Sequence, residues 1–341
     1  MEKGGNGNGM AVRMTEAEKL VEIWRGEILE SVHRGHAVIA DETGEIVEAW
    51  GDPELVFLPR SASKMLQALP LVESGAAREL GLKPGHLALA CASHDGAEIH
   101  TGALQAWLAA LGRNEDDLRC GAHEPKDRCA RDALIRAGRA PGQLHNNCSG
   151  KHAGFLSLTR HLRAGPEYVD PDHPVQRAVR AAFEEMTGEE SPHHVVDGCS
   201  APNFATTLHG MARAMARMAA GETGSMARNL ASARLVAAMA RHPELVAGEG
   251  RACTELMRAM GGAASVKTGA EAVFVAILPG PRLGIALKIE DGGTRAAEAL
   301  VAALLARIGV LEAAHPAARR LTHGPITNWR GIETGHVRVL I

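Results

Sequence analysis

The sequence has 341 residues, of which 45% are hydrophobic and only 3% aromatic, and its formal charge at pH 7 is −3. This length fits one large domain or two closely packed ones, and the apolar fraction is enough for a sizeable core. The weak charge and the shortage of aromatic residues exclude the basic, base-stacking surfaces of nucleic-acid-binding proteins, and they indicate no membrane partner.

The six cysteines are spread along the chain without a C-x-x-C pair, which predicts reduced thiols and a cytoplasmic location. No apolar run approaches the length of a membrane span, and the N-terminal region lacks the apolar stretch of a secretory signal. Residues 1–14 include a run rich in glycine and asparagine and are predicted to be a flexible leader. Residues 15–341 are predicted to form a single domain.

The N-terminal part of that domain has the pattern of antiparallel β structure. Residues 21–33 alternate loosely between apolar and polar side chains, which predicts one strand. Residues 36–40 and 46–50 are predicted to be two more strands, joined by the turn sequence Asp41–Gly44. A short strand over 55–58 then leads into helical sequence.

Residues 63–262 are mainly helical in pattern, with polar, glycine-containing loops between the helices. Strand periodicity returns in 263–341, where short apolar runs lie between 265 and 290. A helix is predicted after them, over 295–308. Strands that are distant in sequence most simply complete one sheet. The pattern therefore predicts an α/β (α+β) fold, in which 15–62 and 263–341 supply an antiparallel sheet flanked by helices, with a large helical insertion.

The first candidate catalytic motif is a Ser-x-x-Lys sequence, Ser61 to Lys64, where strand-like sequence gives way to helix-like sequence. Residues three apart share a helix face, so the Ser61 hydroxyl is predicted to lie beside the Lys64 amine. A neutral lysine can accept the proton of a serine nucleophile, as in serine acyl-transfer enzymes. Because so short a motif also occurs by chance, a solvated helix start is the alternative interpretation.

A second lysine, Lys267, lies on the first strand after the helical portion, within Lys-Thr-Gly. If the two β portions form one sheet, this strand can lie beside the helix that carries Lys64. Burial and a neighbouring ammonium would both favour the neutral lysine that a serine nucleophile needs. Ser93, in a mid-chain loop, could pair with Lys267 as a second Ser–Lys couple. The alternative is a solvated lysine at a strand end.

Two cysteines, Cys148 and Cys199, lie in glycine-flanked loops rather than on apolar helix faces, and Lys151 and His152 are within one turn of Cys148. Thiolates bind Zn²⁺ well, with an amine or an imidazole completing the ligand set. A zinc site is therefore one interpretation. Buried free thiols and a redox-sensitive thiol pair are the others.

Taken together, these motifs resemble the asparaginase II family, the Rhizobium etli-type (class 3) L-asparaginases. The resemblance extends over about residues 21–310, and its most specific parts are Cys-Ser-Gly-Lys-His and Asp-Gly-Cys-Ser-Ala-Pro. The matching segments are Glu30–Gly35, Arg60–Lys64, Ser93–His94, Asn146–His152, Asp197–Pro202 and Lys267–Gly269.

The resemblance implies a fold similar to serine β-lactamases and penicillin-binding proteins, a homodimer, and an amidohydrolase that converts L-asparagine into L-aspartate and ammonia. It implies a small-molecule substrate, with no nucleic-acid or membrane partner. The residues that it implies are Ser61, Lys64, Ser93 and Lys267 as two catalytic Ser–Lys tandems, Arg60 and Asp197 in the substrate pocket, and Cys148, Lys151 and Cys199 as zinc ligands.

Three alternatives stay open at this point. Another serine hydrolase of the same fold, such as a glutaminase, an esterase or a D-aminoacyl peptidase, would share the Ser–Lys motif. A zinc-dependent amidohydrolase would attack the substrate with metal-bound water instead of a serine. A non-catalytic thiol or zinc sensor would need neither Ser–Lys pair.

Overall fold

The structure is a computed structural model that describes residues 16–221 and 225–341. The leader predicted over residues 1–14 lies outside the described residues. Among the described residues, no helix combines the length and the apolar character that crossing a membrane requires.

The strands of the described residues belong to one large sheet and two small ladders. In chain order the strands are β1 (Glu18–Arg25), β2 (Ile28–Ala40), β3 (Ile46–Trp50), β4 (Val56–Phe57), β5 (His194–Val196), β6 (Pro202–Phe204), β7 (Thr206–Thr207), β8 (Ser265–Thr268), β9 (Val273–Leu278), β10 (Leu283–Ile289), β11 (Pro325–Thr327) and β12 (Glu333–Val339). The large sheet has the order β11-β12-β1-β2-β10-β9-β8, with β3 also paired to β2. The small ladders are β4–β7 and β5–β6.

The helices follow one another between β4 and β8, apart from the small ladders, and two more come after β10. They are α1 (Lys64–Glu73), α2 (Ala76–Glu79), α3 (Pro84–Ala90), α4 (Glu98–Ala110), α5 (Arg128–Arg136), α6 (Ser149–His161), α7 (Pro174–Thr187), α8 (Leu208–Ala220), α9 (Met226–Arg241), α10 (Pro243–Val246), α11 (Ala252–Ala259), α12 (Thr294–Ile308) and α13 (Pro316–Thr322). Short 3₁₀ turns cover Arg60–Ser63, Glu115–Asp117 and Gln143–His145.

All strand pairs in the large sheet are antiparallel, and strands from both ends of the chain share it. The predicted fold class, an antiparallel sheet flanked by helices with a large helical insertion, is therefore confirmed. Strand β9 is buried along its whole length, because α8 and α12 both pack against it. Its continuous apolar sequence is what a strand with both faces covered requires.

The single strand predicted over 21–33 is wrong. Gly26 adopts a positive φ of 54° and turns the chain, so this segment is divided between β1 and β2. Strand β2 then continues to Ala40 and includes the separate strand predicted over 36–40. The alternating pattern does not reveal the turn, because it continues on both sides of Gly26.

Helix α1 passes through the centre of the helical portion. All its residues from Lys64 to Val72 are buried, and it packs against α6, α7 and α9. A lysine at the first position of a fully buried helix is unusual, because burying an ammonium costs free energy unless it is hydrogen-bonded. This placement brings the Lys64 amine into the interior of the protein.

Candidate active site

A cavity of about 360 Å³ opens between the 3₁₀ turn Arg60–Ser63, the end of β8 and the loops that precede α6 and β6. Six of the nine predicted site residues line it: Arg60, Ser61, Ser93, Cys148, Asp197 and Cys199. The other three are Lys64, Lys151 and Lys267, whose buried amines hydrogen-bond to residues of the cavity wall. The structure therefore brings all nine residues to one place.

Two buried lysines meet at one serine hydroxyl. The Nζ atom of Lys267 lies 2.7 Å from Ser93 Oγ, and the Nζ atom of Lys64 lies 3.0 Å from the same oxygen. Lys64 begins α1, Lys267 lies in β8, and Ser93 lies in the loop that follows α3. The backbone of that loop is fixed because the Ser93 N–H donates to the carbonyl of Val246.

The environment of Lys64 is that of an ammonium ion. Its Nζ atom lies within hydrogen-bond distance of three acceptors, at 2.5 Å from Ala92 O, 3.0 Å from Ser93 Oγ and 3.3 Å from Asn147 O. An ammonium group has three N–H donors and no acceptor. The three acceptors therefore match the charged form of Lys64.

The environment of Lys267 favours a neutral amine. Burial, followed by the charge of Lys64, lowers the pKa of Lys267 to about 7. Lys267 also donates to the carbonyl of Thr268 at 2.6 Å. Ser93 Oγ can then accept from the ammonium of Lys64 while it donates its own proton to the lone pair of Lys267. The pair of lysines thus polarises the Ser93 hydroxyl from both sides.

Ser61 lies in the wall of the same cavity and is partly exposed. It belongs to the 3₁₀ turn, one step before α1, rather than to the α-helix itself. In the described part of the chain, neither Lys64 nor Lys267 donates to it. The Lys64 amine, which the motif places beside the Ser61 hydroxyl, hydrogen-bonds to Ser93 instead.

The turn that presents Ser61 has an unusual backbone. Arg60, which precedes it, has a φ of 50°, a left-handed value that costs free energy for a residue with a side chain. The turn is held in place because Arg60 N–H donates to Asn203 Oδ1 at 3.2 Å and Ser63 Oγ donates to Arg60 O at 2.9 Å. At the end of β8, Gly269 packs so closely that an added Cβ would lie 2.8 Å from Pro59 O.

A second group of polar side chains surrounds the two predicted metal-binding cysteines. Lys151 Nζ lies 3.0 Å from Cys199 Sγ. The sulfur atoms of Cys148 and Cys199 and a carboxylate oxygen of Asp197 all lie within 4.8 Å of one another. His152, the alternative ligand to Lys151, has its Nδ1 atom 3.0 Å from the Tyr168 hydroxyl instead. The amine, not the imidazole, therefore joins the thiols.

The charges of this group are coupled. The hydrogen bond from Cys148, together with the charge of Lys151, lowers the pKa of Cys199 to about 5, although burial opposes the shift. The same hydrogen bond, together with burial, raises the pKa of Cys148 to about 12. Burial alone would lower the pKa of Lys151, but the neighbouring sulfur atoms raise it. A thiolate at Cys199 and an ammonium at Lys151 therefore form an ion pair.

These side chains fit a zinc ion. Nitrogen and sulfur ligands of tetrahedral zinc lie about 3.3 to 3.8 Å apart. Here Lys151 Nζ lies 3.0 Å from Cys199 Sγ, and the two sulfur atoms and the Asp197 oxygen lie within 4.8 Å of one another, so small movements give that spacing. Cysteine sulfurs and an amine are donors that zinc accepts, once the amine has lost its proton. The carboxylate of Asp197 is a further oxygen donor that the sequence pattern did not assign to the metal.

Asp197 also contacts the other predicted substrate-binding residue. Its Oδ1 atom accepts a hydrogen bond from Nε of Arg60, and its Oδ2 atom lies 3.5 Å from Cys199 Sγ. The charges of Lys151 and Arg60 hold the pKa of Asp197 below its usual value, although burial opposes this. An ionised carboxylate therefore lies on the wall of the cavity that both serines line.

Sequence reasoning missed three basic residues that line this cavity: His123, Lys126 and Arg251. They belong to the loop before α5 and to the N-cap of α11. No motif includes them, and isolated basic residues are common on loops. Only their placement in the folded chain indicates a role.

The chain is similar to proteins of known family and known fold. A family model described as L-asparaginase II matches residues 21–339. Similar solved structures include Mglu in its native form, with a TM-score of 0.46 and 15% identity over 83% of this chain and 66% of the Mglu chain. A β-lactamase from Mycobacterium bovis has a TM-score of 0.44 and 16% identity, over 80% of this chain and 94% of that chain. This chain thus spans about two thirds of Mglu. No curated protein sequence matched the chain.

Proposed function

The chain belongs to the L-asparaginase II family, as the sequence motifs predicted, and from that premise we propose that it hydrolyses L-asparagine to L-aspartate and ammonia through a serine nucleophile. The observation that carries this proposal is the position of Ser93 Oγ between two buried lysine amines, at a cavity that Ser61 also lines. Such a site can move a proton from a hydroxyl to an amine near neutral pH, which acyl transfer to serine requires.

In this proposal Ser61 is the nucleophile, because it lines the cavity and begins the Ser-x-x-Lys motif, whereas the Ser93 hydroxyl is already held between the two lysines. Ser93 gives its proton to the neutral amine of Lys267 and receives a proton from the ammonium of Lys64. Lys64, now an amine, accepts the proton of Ser61 while Ser61 Oγ bonds to the side-chain amide carbon of asparagine. The net result is the transfer of one proton from Ser61 to Lys267.

The return of that proton completes the first half-reaction. It passes from Lys267 through Ser93 and Lys64 to the amide nitrogen, so that the carbon–nitrogen bond breaks and ammonia leaves. Backbone N–H groups at the start of α1 stabilise the oxyanion of the tetrahedral intermediate. Water then attacks the aspartyl ester on Ser61 and gives its proton to Lys267 through Ser93. That proton returns through Ser93 and Lys64 to Ser61 Oγ as the ester carbon–oxygen bond breaks, which releases aspartate and restores both Ser61 and the neutral amine of Lys267.

The remaining site residues bind the amino-acid end of the substrate in this proposal. Asp197 binds the α-ammonium group of asparagine, and Arg60 fixes the orientation of that carboxylate. Cys148, Lys151 and Cys199 would hold a zinc ion beside them. When bound, zinc supplies a fixed positive charge at this end of the cavity.

Ammonia release from a set of amides tests the proposed substrate. We expect the purified protein to release ammonia from L-asparagine faster than from L-glutamine or D-asparagine, and to leave nitrocefin intact. A preference for L-glutamine would make the protein a glutaminase of the same mechanism. Hydrolysis of nitrocefin or of simple esters in preference to any amino-acid amide would contradict the proposal.

The pH dependence of the rate is expected to follow Lys267. The active form is the neutral amine, and the pKa of Lys267 is about 7, so kcat/KM should rise with pH through about 7 and level off above it. The protonated form cannot accept the Ser93 proton, which accounts for the loss at lower pH. Steady-state rates on L-asparagine between about pH 5 and pH 9 check this. A flat profile across this range would show that Lys267 is not the base.

Zinc content is expected to depend on the cysteine pair. The protein purified without chelators should contain about one zinc ion per chain, and replacing both Cys148 and Cys199 with serine should remove it, because serine hydroxyls are poor zinc ligands. Elemental analysis by mass spectrometry measures this independently of activity. Cys129→Ser, which changes an exposed cysteine outside the cluster, is the matched control. Equal zinc content in all three proteins would rule out the site.

The assembly and the location are also proposals. All six cysteines are free thiols, which suits a reducing compartment such as the cytoplasm. The family resemblance supports a homodimer, and the molar mass in solution by light scattering tests that state directly.

A further inference from the structure

Two basic side chains on the cavity wall, the exposed Lys126 and the half-buried Arg251, have no side-chain partner among the residues that the structure describes. Lys126 and Arg251 both line the cavity, and within the described residues neither makes an ion pair or a side-chain hydrogen bond. His123 lines the same cavity, and its Nδ1 atom is buried without a hydrogen-bond partner. Buried polar atoms are nearly always hydrogen-bonded in folded proteins, so the missing partner of His123 Nδ1 calls for an explanation.

The two cations lie close enough to affect each other. Burial, followed by the charge of Arg251, lowers the pKa of Lys126. The charge of Arg251 also acts on the carboxylates of Asp95 and Glu298, but neither of these lies within 4.0 Å of its guanidinium group. Like charges that lack ion-pair partners repel each other, and an anion bound to both would relieve that repulsion.

The acidic residues of the cavity do not neutralise these cations. Asp197 is paired with Arg60, and Glu271 forms no ion pair among the described residues. The cavity therefore has one carboxylate matched by an arginine, one carboxylate without an ion pair at Glu271, and two cations that pair with neither of them. A zwitterionic amino acid has a group complementary to each of these regions.

We propose that Lys126, Arg251 and His123 form a subsite for the α-carboxylate of the substrate. This inference rests on the proposed function and extends it, because it assigns the carboxylate to a region of the wall that no motif indicated. Arg60 is less suited to that role, since its guanidinium is already engaged by Asp197. The α-ammonium group then binds Asp197, and the side-chain amide is directed towards Ser61.

The subsite defines the substrate class. An amino-acid amide with a free α-carboxylate satisfies both regions of the wall, whereas an amide without that group leaves the two cations unmatched. Asparagine within a peptide chain, where the α-carboxylate is part of a peptide bond, lacks the required charge. The protein is therefore specific for free amino-acid amides.

The test compares the effect of removing the cation with the effect of removing the carboxylate. The variants are Arg251→Gln and Lys126→Gln, and the substrates are L-asparagine and β-alaninamide, which is asparagine without its α-carboxylate. Rates are measured at about pH 8.5, where Lys267 is neutral in every variant. Arg258→Gln is the matched control, because Arg258 lies on α11 but pairs with Glu249 rather than lining the cavity.

We expect Arg251→Gln to raise KM for L-asparagine by about tenfold or more, since a charge-assisted hydrogen bond is lost. The same change should leave kcat/KM for β-alaninamide within about twofold of its original value. Lys126→Gln should act in the same direction, and Arg258→Gln should change neither substrate. Equal losses of kcat/KM on both substrates in Arg251→Gln would overturn the proposal. It would also be overturned if Arg60→Gln were the only variant with a selective loss on L-asparagine.

Calorimetric binding of L-aspartate keeps this test independent of turnover. L-Aspartate carries the same α-carboxylate, so we expect the original protein to bind it at least about tenfold more tightly than Arg251→Gln does. Equal affinities, or no binding to either protein, would overturn the subsite. Failure of the protein to hydrolyse L-asparagine while this difference in affinity remains would contradict the proposed reaction and leave the subsite supported.

Discussion

Replacement of Ser61 by alanine is expected to lower kcat for ammonia release from L-asparagine by at least about 1000-fold, because the variant has no nucleophile to form the aspartyl ester. The remaining activity would come from substrate binding and oxyanion stabilisation alone. Enzyme-coupled ammonia detection with saturating L-asparagine measures the change. Circular dichroism of the same sample shows whether the fold is intact.

The matched control for this variant is Ser63→Ala, in the same 3₁₀ turn. Ser63 is buried and its hydroxyl donates to the carbonyl of Arg60 rather than lining the cavity. We expect that variant to keep its activity within about tenfold of the original, since it loses one hydrogen bond within the turn. If Ser61→Ala kept more than a few per cent of activity and chelation of zinc abolished the rest, metal-bound water would be the nucleophile.

Replacement of Lys267 by methionine is expected to have two opposite effects. The rate on L-asparagine should fall by about 100-fold to 10,000-fold, because the general base is removed. Thermal stability at about pH 6 should rise, by about 2 °C or more, because methionine does not carry the charge that burial disfavours. Steady-state kinetics and thermal unfolding of the same preparation measure both effects.

The sign of the stability change follows from the pKa of Lys267 in the two states. This pKa is about 7 in the folded protein, whereas an unperturbed lysine, as in an unfolded chain, has a pKa of 10.5. Between these values the unfolded chain binds more protons, so the stability of the original protein increases with pH over this interval. Below pH 7 the full cost of the buried charge is present, and the gain from methionine is therefore largest there.

Lys288→Met is the matched control for this prediction. Lys288 lies in β10, donates to the carbonyls of Glu271 and Ile289, and does not line the cavity. Burial also lowers its pKa, so the change to methionine tests lysine removal from the same sheet without removing the base. If Lys288→Met lost as much activity as Lys267→Met, both losses would be due to a disturbed fold rather than to the removal of the base.

The meeting of Lys267 with the start of α1 could be predicted from the sequence. Strand periodicity before and after the helical portion predicts one sheet, and a shared sheet brings β8 beside the turn that carries Ser61. The proximity of Cys148 and Lys151 could be predicted from their spacing, because the two residues are one helical turn apart. Both inferences depend on strand periodicity and helical spacing, which can be recognised in the sequence alone.

The partner of Lys64 could not be predicted in this way. Its amine contacts Ser93 rather than Ser61, because the loop after α3 places two acceptors, Ala92 O and Ser93 Oγ, within hydrogen-bond distance of it. Where that loop lies depends on a backbone hydrogen bond to Val246, which is distant in sequence. The positive φ of Arg60 has no sequence signal either, since such values favour glycine.

Partitioning of the reaction between water and hydroxylamine tests covalent acyl transfer most directly. L-Asparagine and the β-methyl ester of L-aspartate should both give β-aspartyl hydroxamate in the presence of hydroxylamine, and the ratio of hydroxamate to aspartate should be the same for the two substrates. The ratio is the same because both substrates form the same ester on Ser61, and the leaving group has departed before water or hydroxylamine attacks that ester. Formation of aspartate alone, or a ratio that depends on the leaving group, would contradict a serine-bound intermediate.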